Sequence, residues 1–154
     1  MDPATSEPYA PEVTDSLVPQ SRRRTAEEVA DYVVELATAL ERYGCPSYRV
    51  EQAARVVAAL EGFHAEPFVL PTGIFLRIWG ESPRVELHRM VRVAEWTTDL
   101  GALVEVDAIF NDVADRKSTL EQARGRLRVL DERRHAYPKA AVFVAAVLVA
   151  AAAA

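Results

Sequence analysis

The spacing of apolar residues changes period twice along this chain, and that switch restricts the fold more than any single motif. From Thr25 to Gly62 apolar residues recur every three or four positions, from Phe63 to Val93 they alternate in short runs, and from Asp99 to Leu130 the helical spacing returns. These periods predict two helices, three antiparallel strands and two further helices. That is an α+β layout in which helices can cover one side of the sheet.

Each element has start and stop signals of its own. Thr25 and Glu28 have capping-box spacing, and Val29, Tyr32, Val33, Leu36, Ala37, Leu40 and Tyr43 share one face of the helix that follows. Gly44 can take the left-handed geometry that ends it. Ser47 is the expected cap of a second helix with a stripe of Val50, Ala53, Ala54 and Val57, ending near Gly62. The strands read HAEPFVL, GIFLRIW and VELHRMVRV, separated by Pro71-Thr72-Gly73 and Gly80-Glu81-Ser82-Pro83. Gly73 is expected to supply a positive φ in its turn. Leu100, Leu103, Val106, Phe110 and Val113 mark a third helix reaching about Arg116, with a break at Lys117-Ser118. Leu120, Ala123, Leu127 and Leu130 mark a fourth, with Arg124, Arg126, Arg128, Arg133 and Arg134 on or near its outer surface and His135 to Pro138 interrupting it.

The last segment is of another kind. PKAAVFVAAVLVAAAAA, residues 138–154, is apolar after Lys139. Seventeen helical residues at ~1.5 Å each reach roughly 25 Å, slightly less than the ~30 Å hydrocarbon core. It reads as a transmembrane helix begun and not completed. Arg126, Arg128, Arg133, Arg134 and Lys139 lie within about fifteen residues of it, which predicts that residues 1–137 face the cytoplasm, with Tyr137 at the interface. The expected division is a disordered tail over 1–24, rich in proline, an α+β domain over 25–137, and a first membrane span over 138–154.

A net charge of −5 and the absence of a basic, aromatic-interleaved stripe argue against nucleic-acid binding. The single cysteine, Cys45, excludes an intrachain disulfide. Cys45 precedes a helix start, where backbone N–H groups favour a thiolate, but it has no histidine close in sequence; His64 could approach it only through the fold. Ser47 lacks a nucleophile elbow. His64, His88 and His135 fall in three different elements without metal-ligand spacing. The chain therefore reads as a non-enzyme, with no catalytic residue, metal or cofactor.

Several stretches resemble the threonine/serine exporter family of bacterial inner-membrane proteins. Gly44-Cys45-Pro46-Ser47-Tyr48-Arg49-Val50-Glu51 is similar to that family's Gly-x-Pro-x-Tyr-Arg-Val-Glu, and Val69 to Phe75 to its Pro-Thr-Gly turn. Leu87 to Val93, with Arg89 and Arg92, resembles the strand that follows. Asp99-Leu100 resembles the next helix start, and Tyr137-Pro138 the approach to the first span. The likeness runs in order from Thr25 to Ala154. Asp115-Arg116-Lys117 departs from it, standing where the family usually has a glycine.

The resemblance implies a cytoplasmic domain, at the bacterial inner membrane, of a transporter that exports small amino acids such as threonine and serine by using an ion gradient. It implies the lipid bilayer and further spans, or a partner membrane subunit, as partners, and leaves a homo-oligomer open. Such a chain would not be competent alone. The alternative is a membrane-tethered cytosolic domain that binds a small molecule and regulates. From the shared motifs, Arg49, Glu51, Thr72 and Arg89 are the candidate polar site, with Arg49 and Glu51 near the Pro71-Thr72-Gly73 turn if the second helix packs on the sheet.

Overall fold

The computed structural model describes residues 24–80 and 86–135. In chain order they form α1 (Ala26–Arg42), α2 (Ser47–Leu60), β1 (His64–Leu70), β2 (Gly73–Trp79), β3 (Glu86–Arg92), α3 (Leu100–Ala114) and α4 (Leu120–His135). Four helices and one antiparallel sheet of order β1-β2-β3 make an α+β fold. The expected tail, apart from Arg24, and the expected span at 138–154 lie outside the described residues, as do Ala136 and Tyr137. Among the described residues no helix is long and apolar enough to cross a membrane.

α1 forms the centre. The Thr25 hydroxyl accepts from Glu28 N at 3.2 Å and the Glu28 carboxylate accepts from Thr25 N at 2.9 Å, so the first turn has both reciprocal bonds of a capping box. Tyr32, Val33, Leu36, Ala37 and Leu40 are buried along one stripe. α1 packs on α2, β2, β3, α3 and α4. Gly44 ends it at φ +87° and Gly62 follows α2 at φ +81°. Alanines 53, 54 and 58 face inward from α2, which seats it closely on α1 and β1.

On the sheet, Val69, Ile74, Leu76 and Ile78 turn toward the helices and are buried, while Phe68, Phe75 and Arg77 point away. The outer face carries the His64–Trp79 stack, with centroids 5.6 Å apart, and Arg77 over the Trp79 ring at 4.6 Å.

Five local expectations need correction. The N-cap of α2 is Pro46, with no side-chain bond, and Ser47 is already helical; the Pro46 carbonyl accepts from Arg49 N at 2.8 Å instead. Gly73 has no positive φ, because Leu70 pairs with Gly73 and the turn is Pro71-Thr72 alone. Its small size matters for another reason: a Cβ there would sit 3.2 Å from the Val91 carbonyl on β3.

The α3 stripe is rotated. Ala102, Val106, Ile109 and Val113 are buried, Leu103 and Phe110 are half-buried, and Leu100 is 68% exposed. This helix has apolar residues enough for two stripes, and the one with small Ala102 faces the core. Arg24, grouped with the tail by composition, is tied to Glu61 and Glu121, both at 2.9 Å. Finally, α4 continues through His135. Its start has a reciprocal pair of its own, Gln122 N to the Thr119 hydroxyl and Thr119 N to the Gln122 side chain.

Candidate functional site

The four residues of the expected polar site point to different neighbours. Glu51, on the second turn of α2, faces β1, and its Oε1 accepts from Val69 N at 3.3 Å while Oε2 takes Arg55 at 3.1 Å. Arg49 turns to α3, where it meets Asp107 at 3.5 Å. Thr72 is exposed and its carbonyl accepts from Val93 N at 3.1 Å. Arg89, on the inner side of β3, meets Asp31 of α1 at 3.4 Å. Glu51 is thus the one whose side chain binds the β1–β2 hairpin, and it binds the strand rather than the turn.

Cys45 is buried, and desolvation raises its thiol above the ordinary value, with Arg49 opposing weakly. His64 is stacked on Trp79. Among the described residues no group of His, Cys, Asp and Glu could hold a metal ion.

The chemically richer place is a groove of about 290 Å³ between α1, α4 and the end of β3. Its walls are apolar at Val34, Ala39, Val91, Leu127 and Leu130, and its rim carries both signs of charge. Arg42 pairs with Asp131 across the groove, and Glu35 pairs with Arg124, whose Nε donates at 2.9 Å. Arg128 has neither a hydrogen bond nor an ion pair among the described residues. Among the described residues Thr38 Oγ1 and Arg42 Nε are enclosed there without a hydrogen-bond partner. Both rim carboxylates are held by arginines, so the apolar walls and the Arg128 cation suit the carboxylate of a small molecule, with any opposite charge of that molecule meeting carboxylates already shared with Arg42 and Arg124. Periodicity could not show this groove, since Arg42 and Asp131 are 89 residues apart.

Two further buried polar groups belong to α1. Tyr32 is fully enclosed with its hydroxyl unpaired among the described residues, and burial pushes that hydroxyl well above its ordinary value. Glu41 is 5% exposed, and burial raises its carboxyl.

The family model of the threonine/serine exporters (ThrE) matches residues 31–154, from the first third of α1 through the terminal apolar run. Neither the curated proteins nor the solved structures contain a match.

Proposed function

Because the chain belongs to the threonine/serine exporter family, we propose that it supplies the cytoplasmic, N-terminal part of an amino-acid exporter at the bacterial inner membrane. In this reading residues 25–137 form the water-facing domain, residues 1–24 its tail, and 138–154 the first span. The domain is not an enzyme, and it does not transport alone: threonine or serine crosses through further spans on the same or a partner chain.

The single observation that carries this is the family match, which spans residues 31–154. Exposed Arg126, Arg128 and Arg133 on α4 support the orientation, since basic residues beside a span stay on the cytoplasmic side. The test is thiol labelling of Lys117→Cys, a position whose side chain is 66% exposed. A membrane-impermeant maleimide is expected to label it in inverted vesicles and not in intact cells; the reverse pattern overturns the orientation. Cys45 is buried and stays unlabelled while the protein is folded.

The second reading, a membrane-tethered domain that binds a small molecule and regulates, is favoured by one observation, the two-signed groove at α1 and α4. Calorimetric titration with threonine and serine distinguishes it: binding that Arg128→Ala weakens supports a sensing role, and no heat with either amino acid removes it.

A further inference from the structure

The two edges of the sheet differ in a way that hydrogen-bond parity makes explicit. In an antiparallel ladder, alternate residues direct both backbone groups to one neighbour and the residues between direct theirs the other way. Val93 N bonds Thr72 O at 3.1 Å, which extends the β2–β3 register in which Ile74 faces Val91 and Leu76 faces Arg89. Odd-numbered residues of β3 therefore bond β2, and Glu86, His88, Met90 and Arg92 direct their N–H and C=O groups to the open edge. The same parity sends the backbone groups of Ala65, Pro67 and Val69 to the free edge of β1.

The β1 edge is closed to further pairing. Pro67 has no N–H to offer, and Val69 N is already taken by the Glu51 carboxylate at 3.3 Å. The β3 edge has no such protection: it contains no proline, and none of its four outward N–H groups has a partner among the described residues. Seven residues of uncovered edge form a template for another strand.

We propose that this edge pairs with the β3 of a second copy, so that two three-stranded sheets join into one of six strands about a two-fold axis at Arg89. Antiparallel pairing of identical strands is self-complementary, as a two-fold interface requires. The register centred on Arg89 is the one that pairs all seven residues of both strands and matches outward groups to outward groups. It sets Glu86 opposite Arg92 of the second copy, twice, and His88 opposite Met90, twice. Arg92 has no ion pair within its own chain among the described residues, and Glu86, whose Oε1 already meets Arg77 at 2.5 Å in its own strand pair, would share its carboxylate with the Arg92 set opposite it. On the inner face, Leu87 falls opposite Val91 of the second copy, at the wall of the α1–α4 groove, so each copy adds an apolar residue beside the other's groove. The two Arg89 side chains meet on the axis, each with Asp31 of its own α1 at 3.4 Å.

The experiment uses the full chain in membranes. With His88→Cys and Met90→Cys together, mild oxidation is expected to yield a disulfide-linked dimer, because a hydrogen-bonded pair places Cα atoms about 5.5 Å apart, within disulfide reach. Glu86→Arg alone and Arg92→Glu alone are each expected to weaken the dimer about tenfold, by turning two attractive cross-strand pairs into repulsive ones. The double variant Glu86→Arg/Arg92→Glu is expected to recover the dimer. Rescue by the second charge reversal separates the interface from a folding defect, which a further reversal would not repair. A chain that stays monomeric, a cysteine pair that gives no cross-link, or a double variant as weak as the singles overturns the proposal.

Discussion

α1, α2 and the sheet are held mainly by apolar burial, whereas α3 and α4 are also tied on by charge. In the first region Tyr32, Val33, Leu36, Val50, Val57, Ile74 and Ile78 are almost wholly enclosed. In the second, Leu120, Ala123, Leu127 and Leu130 form a single buried row, and around it Arg124 meets Glu35, Arg42 meets Asp131, Arg126 meets Asp112 and Arg24 meets Glu121. Apolar contact is non-directional and insensitive to salt, while ion pairs at partly exposed sites fix register and are screened. α4, the helix leading to the apolar run, shares the common core through its buried row and adds to it a set of salt-sensitive ion pairs.

The largest expected effect is in the first region. Leu36→Ala should destabilise by about 2–5 kcal/mol, the range for emptying a packed leucine site; chemical denaturation checks it, and a loss under 1 kcal/mol would mean that α1 is not the centre. Tyr32→Phe should stabilise by about 1 kcal/mol, because it removes a buried hydroxyl that has no partner among the described residues. In the second region, Arg24→Ala should cost about 1 kcal/mol or less, and the cost should shrink in 1 M salt. A penalty that salt leaves unchanged would make Arg24 a packing residue. Arg116→Gly should stabilise by about 0.5–1 kcal/mol, since Arg116 ends α3 at φ +57°, a left-handed conformation that glycine adopts without strain.

The two regions also predict opposite pH dependences. Arg24 holds the Glu121 carboxyl down at about 2, so its contribution is present above the ordinary carboxylate range and is lost as pH falls toward 2. Burial raises Glu41, so its contribution is full below the ordinary range and is lost as pH rises through the raised value. Glu41→Gln should therefore stabilise at neutral pH, and Glu121→Gln should flatten the acid limb; thermal melts from pH 2 to 8 distinguish them.

How far the sequence was legible follows the same division. The apolar stripe of α1, its capping box and the three strands can be read directly, because one period dominates and the turns have proline or glycine. The α3 face could be read only in part: Val106 and Val113 are buried as the spacing has it, but Leu100 and Phe110 compete with Ala102 and Ile109, and contact with α1 decides. The unusual Asp115-Arg116-Lys117 has a physical counterpart in the left-handed Arg116, the position where glycine would be free of strain. Arg49, Glu51, Thr72 and Arg89 share motifs but bond different neighbours, and Glu51 shows that a motif residue can shape the fold, as it does at the β1 edge. The groove joins α1 to α4, and no local pattern could relate them.

The most direct test of the functional account is threonine and serine efflux from cells carrying the gene, compared with cells lacking it. Family membership and the cytoplasmic reading predict that deletion lowers efflux of one or both amino acids and that the gene restores it. Equal efflux from the two strains would contradict the account.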